Sequence, residues 1–333
     1  MHSGFLRQVS TRRNPLVAAA AINKSVVSTT TAAFSNLRFF SAMTTTTNDD
    51  ENTPTKGGPS ERASSVASFK VMDVLRRANQ LQAAGHTVVH CEVGQPETGA
   101  PSTVAQAAVE ALQEPQVMGY TDAFGLVPLR QKIAQQYRTK YNGNVDIDPS
   151  RIVVTTGSSG GFLLAFTACF DVEDVVAIAS SGYPCYRNIL SALGCTLCHI
   201  PVNAHYKITA TELLKEIQRR HENNEKPLSG LILSSPSNPT GAMLDPTELE
   251  QLCAVCDEHG IQFLSDEIYH GISYGKPEAT ALEFSNNAMV LNSFSKYYSS
   301  AYSLLFVVCC LLFVCVCVVF SSHTCSPCLL YII

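Results

Sequence analysis

From Arg151 onward one pattern repeats. Short apolar runs at Ile152–Val154, Val175–Ile178, Thr196–Val202, Leu231–Leu233 and Ile261–Leu264 are separated, in most cases, by amphipathic stretches of helical length. A strand that is apolar on both faces must be covered on both faces, so the pattern predicts an α/β fold with a mostly parallel sheet between helical layers. Sheets of this kind bind ligands at the carboxyl ends of their strands, and the residues that follow each run are therefore the candidates for function. At 333 residues and 46% hydrophobic, the chain can build a large core. Its net charge of −5, with no basic stripe outside the N-terminus, gives no electrostatic case for nucleic acid.

The chain divides by composition. Residues 1–47 carry Arg7, Arg12, Arg13, Lys24 and Arg38 among many Ser, Thr and Ala, with no acidic residue until Asp49. That is the composition of a transit peptide for a mitochondrial or plastid matrix. Residues 48–67, rich in Thr, Ser, Pro and Gly, read as a disordered linker. Residues 68–95 read as an N-terminal arm and part of a small domain, 96–300 as the large domain, and 301–333 as an aberrant hydrophobic tail. Helical spacing over Val71 to Leu81 ends at Gly85, Val88–Val93 reads as a short strand, and Ser102–Leu112 and Val127–Tyr141 read as helices. Of 13 cysteines, six lie in the last 25 residues. Cys195 and Cys198 sit on a strand facing opposite sides, and Cys253 and Cys256 share a face of the helix from Asp245 to His259; both pairs read as core residues, with no metal site.

Five strand ends carry chemistry. Thr155-Thr-Gly-Ser-Ser-Gly-Gly161 runs into a predicted helix at Phe162–Phe170, and its free amides suit a phosphate. The same letters contain Gly157-x-Ser159-x-Gly161, the nucleophile elbow of an α/β-hydrolase, with Asp266 and His270 following in the order such a triad requires. Tyr183, after the second strand, can stack on a flat ring. Asn238 lies in the doubly proline-constrained turn Ser235-Pro-Ser-Asn-Pro-Thr-Gly241, which fixes its amide. Asp266 directly follows an apolar strand and needs a cationic partner such as a protonated ring nitrogen. Lys296, in Leu291-Asn-Ser-Phe-Ser-Lys296, follows the apolar run Ala288–Leu291, where lost hydration turns an amine into a nucleophile. The loop from Gly94 can present bare amides, and Tyr120 reads as a phosphate donor or a packing aromatic.

These motifs in this order, from Val93-Gly-Gln-Pro96 to Ser293-Phe-Ser-Lys296, resemble the class I/II aminotransferases of the fold-type I pyridoxal 5′-phosphate enzymes, over roughly Ser68 to Ser299. The resemblance implies a cofactor, pyridoxal 5′-phosphate, and amino-acid and 2-oxo-acid substrates. It implies that Lys296 forms a Schiff base with the cofactor and moves the substrate proton. It implies that Asp266 holds the ring nitrogen, Asn238 and Tyr269 hydrogen-bond its phenolic oxygen, and Tyr183 stacks on the ring. Ser158, Ser159 and Ser293, with the amides near Gly160, would cradle the phosphate. Tyr120 would reach a phosphate across a homodimer interface, and Gly94 would let the substrate carboxylate approach.

Beyond Lys296 the chain departs from the family. Leu304 stands where the family has a phosphate-binding arginine, and the family's last strand and C-terminal small domain find no counterpart in the letters that follow. Residues 301–320 are instead an uncharged Val/Cys/Phe-rich run. It can be read as a membrane anchor, as a strand filling the missing sheet position, or as translated intron, which its abrupt start inside a motif favours. The expectation is an incomplete large domain that binds the cofactor weakly and turns over little substrate, membrane-bound only if the tail is genuine.

Overall fold

The computed structural model describes residues 60–94, 98–113 and 120–298 and the backbone of Val316–Val319. Eight helices are described: α1 (Glu61–Ser65), α2 (Lys70–Ala83), α3 (Ser102–Gln113), α4 (Val127–Lys140), α5 (Gly157–Cys169), α6 (Pro184–Leu193), α7 (Ala210–Glu222) and α8 (Pro246–Glu258). Seven strands are described: β1 (Ile152–Val154), β2 (Val175–Ala179), β3 (Thr196–Ile200), β4 (Gly230–Ser234), β5 (Gln262–Asp266), β6 (Met289–Ser293) and β7 (Val316–Val319). They form one sheet in the order β1-β7-β6-β5-β4-β2-β3. The neighbours among β2 to β6 are all parallel, and β7 runs antiparallel to both β1 and β6.

Alternation along the strands builds a core on each face of this sheet. Val175 and Ala177 of β2, Leu231 and Leu233 of β4 and Phe263 of β5 pack with α7 and α8 through Leu213, Leu249 and Leu252. Val176, Ile178, Ile232 and Leu264 face the other way, against Phe162 and Phe166 of α5 and Leu190 of α6. Because both faces are covered, β4 is buried along its whole length, which is why its letters are apolar without alternation. Cys195 falls in one core and Cys198 in the other, while Cys253 and Cys256 are both buried beneath α8. Among the described residues no cluster of His, Cys, Asp and Glu could hold a metal ion. Helix starts follow local chemistry: Asp245 caps α8 and exchanges backbone bonds with Glu248, with Pro246 at the first helical position.

Three expectations need correction. Residues Val88–Val93 form no strand, since among the described residues nothing pairs with them and an unpaired strand leaves its amides unsatisfied. α5 begins at Gly157, not Phe162, so the Gly-Ser-Ser-Gly segment is the helix's own first turn. The predicted linker contains the short helix α1, capped by the Ser60 hydroxyl, which accepts from the Ala63 amide at 3.1 Å. The hydrophobic tail contributes β7 to the middle of the sheet, in register with Ile152–Val154 on one side and Val290–Ser293 on the other. The strand-filler reading is the one this pairing supports. Among the described residues no helix is long and apolar enough to cross a membrane, and the remainder of 301–320 lies outside them, as do residues 1–59 with the transit-peptide reading.

Candidate active site

The carboxyl ends of the parallel strands open into a cavity of about 520 Å³. Lys296, Asp266, Tyr269, Asn238, Tyr183, Ser158 and Gly94 all line it. Each arrives by the predicted route: Asp266 is the last residue of β5, Tyr183 caps α6, Ser158 stands in the first turn of α5, and Lys296 follows β6 by three residues.

Asp266 is the electrostatic centre. Its side chain is buried, and burial pushes its carboxyl up to about 6 against the opposing hydrogen bonds from Tyr186 and the Ile268 amide. The Tyr186 hydroxyl donates to Oδ2, and the Ile268 amide donates to Oδ1 at 3.2 Å. Among the described residues no Lys, Arg or His forms an ion pair with it. A buried carboxylate in this state is a ready acceptor for a protonated ring nitrogen, which is the chemistry the cavity's donor set fits.

Lys296 is half-buried, with Nζ 5.7 Å from the centre of the Tyr269 ring. Burial lowers its amine below the usual lysine range, opposed by the Asp266 charge, so the uncharged nucleophile is more accessible than on a surface lysine. The Asn238 amide donates to the Tyr269 hydroxyl at 3.2 Å, so the two groups assigned to one ring oxygen already share a hydrogen bond. Tyr183 meets Phe69 edge-on at 5.9 Å and Tyr186 at 5.5 Å, leaving it one wall of an aromatic cluster.

The start of α5 is the segment that the sequence assigns to a phosphate. Gly157 has φ +77°, a left-handed conformation that a side chain resists. A Cβ on Gly160 would lie 2.7 Å from the Thr156 hydroxyl oxygen, so that close approach also requires glycine. Free amides of a first helical turn attract anions, and this turn directs Ser158 into the cavity.

Some sequence-assigned residues stand elsewhere. Ser159 and Gly160 do not line the cavity; the Ser159 hydroxyl lies 3.8 Å from the Cys185 sulfur. Ser293 accepts from the Ser295 amide at 3.0 Å, and it is Ser295 that reaches the cavity. Tyr120 is fully exposed and outside it. The hydrolase triad is not assembled: His270 contacts Tyr141 and the Ser235 carbonyl oxygen, and Asp266 is held by Tyr186. His270 therefore has no path to Ser159 as a base.

Sequence reasoning missed Tyr186, Phe69 and Ser295. Tyr186 lies three residues after Tyr183, one helical turn along α6, so the i, i+3 spacing is the signal that could have found it. Substituting Tyr186→Phe is expected to raise the Asp266 carboxyl further. It should weaken pyridoxal phosphate binding at pH 7 about tenfold, the scale of one hydrogen bond to a charged group. Equal affinities in a direct titration would show that Tyr186 does not hold Asp266.

Comparison with known proteins decides the family. Residues 87–302 match the family model "Aminotransferase class I and II". The chain belongs to that family. It is 45% identical over 239 residues to the valine–pyruvate aminotransferase of Mycobacterium tuberculosis, covering 71% of this chain and 59% of the relative. It is 33% identical over 243 residues to the (5-formylfuran-3-yl)methyl phosphate transaminase of Methanocaldococcus jannaschii, covering 72% of this chain and 60% of the relative. A crystal structure of an aminotransferase from Mycobacterium tuberculosis superposes with a TM-score of 0.66 at 45% identity, over 73% of this chain and 60% of that one. The chain thus spans about 60% of the length of these relatives. Members of the family use pyridoxal 5′-phosphate, and the buried Asp266, the half-buried Lys296 and the α5 N-terminus fit its ring nitrogen, aldehyde and phosphate.

Proposed function

We propose that this aminotransferase-family chain binds pyridoxal 5′-phosphate in the Lys296 cavity and transfers an amino group from an amino acid to a 2-oxo acid. The observation that carries the reading is the convergence on one cavity of a dehydrated lysine, a buried carboxylate that forms no ion pair among the described residues, and a helix N-terminus. When bound, the cofactor supplies an electron sink for the charge that develops at the substrate's α-carbon. The α5 N-terminus and Ser158 hold the phosphate. Asp266 would accept from the protonated ring nitrogen, and Tyr269 with Asn238 would hydrogen-bond the ring's phenolic oxygen. Lys296 Nζ, its proton affinity lowered by burial, would be the base that carries the proton from the donor's α-carbon to the cofactor and, in the second half of the transfer, delivers a proton to the α-carbon derived from the 2-oxo acid.

The name of the 45% identical relative, valine–pyruvate aminotransferase, together with the Phe69, Val71 and Val93 wall of the cavity, supports an apolar amino acid as donor. The full exposure of Tyr120 supports its assignment to a homodimer interface, where it would serve the partner's phosphate. An organelle matrix is the location favoured by the composition of residues 1–47.

The test is spectroscopic and kinetic. Incubation with pyridoxal phosphate is expected to give a visible absorbance that borohydride fixes covalently to Lys296. Lys296→Ala should abolish it, while Ser159→Ala should leave it in place. Loss of activity in Ser159→Ala with retention in Lys296→Ala would overturn the reading in favour of hydrolysis.

A further inference from the structure

Behind the cofactor cavity three buried polar side chains meet that the chemistry above does not use. Glu267 is 1% exposed, and Tyr141 and His270 are each 5% exposed. His270 Nδ1 lies 2.8 Å from the Tyr141 hydroxyl and 3.4 Å from Glu267 Oε2, and its Nε2 lies 3.0 Å from the Ser235 carbonyl oxygen. Glu267 Oε1 accepts from the Ser265 hydroxyl at 3.0 Å and the Ala281 amide at 2.9 Å. Its Oε2 is buried with no hydrogen-bond partner among the described residues.

These contacts constrain the imidazole. A carbonyl oxygen only accepts, so Nε2 carries a proton toward Ser235. A buried carboxylate oxygen facing a ring nitrogen is costly unless the ring brings a compensating charge. The cluster's position also matters. Ser235 opens the turn that carries Asn238, while Glu267 and His270 flank the turn between Asp266 and Tyr269, so one ring ties together the two turns that present the cofactor contacts. The other titratable groups facing the cluster are Tyr137 of α4, the Lys140–Glu278 ion pair at 2.9 Å, Glu283, which acts on Tyr141, and the buried Cys253 of α8 beside Glu267. Two charges act on Asp266: Glu267, which raises its carboxyl, and Lys296 on the cavity side, which lowers it.

We propose that His270 is a positioning residue for the cofactor site: as an imidazolium it balances Glu267, keeps the adjacent Asp266 ionised for a protonated ring nitrogen, and ties the Asn238 turn to the Asp266 turn. The inference rests on pyridoxal phosphate occupying the Lys296 cavity. It is supported by the direction in which Glu267 acts on Asp266, adding to the upward push of burial.

The experiment follows the visible absorbance of pyridoxal phosphate bound to the full chain as a function of pH, with thermal melting of each variant alongside. His270→Gln keeps a donor for Ser235 but cannot carry charge. It is expected to move the acid-side midpoint of binding up by about half to one pH unit. Glu267→Gln removes the opposing charge and should move the midpoint down, and the double variant should return near the starting value. Tyr141→Phe leaves every charge in place and should not move it. Binding weakened equally at all pH values, or single variants whose midpoints do not shift in opposite directions, would leave the cluster a purely structural one and overturn the proposal. A wild-type chain without Lys296-dependent absorbance would overturn the cofactor reading and this proposal together, whereas an intact absorbance with unmoved midpoints overturns the proposal alone.

Discussion

Val318→Pro is expected to unfold the sheet cooperatively, leaving a chain that is aggregated or lacks a sharp melting transition. Among the described residues β7 is the only strand that joins β1 to the rest, pairing Val318 with Val153 on one side and Leu291 on the other. Proline removes a ladder hydrogen bond and cannot adopt central-strand geometry without displacing its neighbours, at a cost of about 3 kcal/mol or more. Against a total stability of roughly 5–15 kcal/mol, that is a large fraction. It also exposes the edges of β1 and β6 to pairing with other chains. A variant that melts like the wild type would show that the tail does not contribute a strand in solution, and would revive the other readings of residues 301–320.

Asp266→Asn should separate stability from function. In the folded chain the carboxyl lies at about 6, above its ordinary value of 3.8, because burial disfavours the charge. Between those two values the folded form binds the proton more tightly than the unfolded form. Stability of the cofactor-free chain therefore falls as pH rises through this window, and the whole cost is present above about pH 6. Two units correspond to about 3 kcal/mol, an order-of-magnitude figure. The cofactor-free Asp266→Asn protein is expected to melt several degrees above wild type at pH 7, to lose the difference near pH 4, and to bind pyridoxal phosphate at least a hundredfold more weakly. Equal melting at pH 7 would show that Asp266 is not carried as a strained charge. Undiminished cofactor affinity would remove it from the ring nitrogen.

Much of the site was legible because strand ends are local features. An apolar run followed by Asp266, or by Lys296 three residues past Ser293, places a side chain at the sheet's carboxyl edge by periodicity alone. Residues whose role depends on a partner distant in sequence were not legible. Tyr186 reaches Asp266 across 80 positions, and Tyr141 reaches His270 across 129. His270 illustrates the hazard: by chain order it could have completed a serine triad, yet the fold turns its ring toward Glu267 and away from Ser159. Ser158, Ser159 and Ser293 all matched the motif, but of the three only Ser158 lines the cavity, joined there by Ser295.

The tail shows the same division. Its letters, uncharged and β-branched, suit a membrane, a strand or a translated intron equally, since each interpretation asks only for apolar residues. The gap between β1 and β6 seats Val316–Val319 as a strand, because two unpaired strand edges supply the hydrogen-bond partners that a run of four residues needs. What the sequence alone determined, then, was the alternating α/β architecture, the two-sided core and the strand-end groups Asp266, Asn238, Tyr183 and Lys296, all consequences of periodicity within one element. What tertiary structure decided was which groups meet: the Tyr186 clamp on Asp266, the buried Glu267–His270–Tyr141 cluster and the antiparallel seat of β7. Those depend on burial and pairing between segments far apart in the chain, which no local pattern encodes.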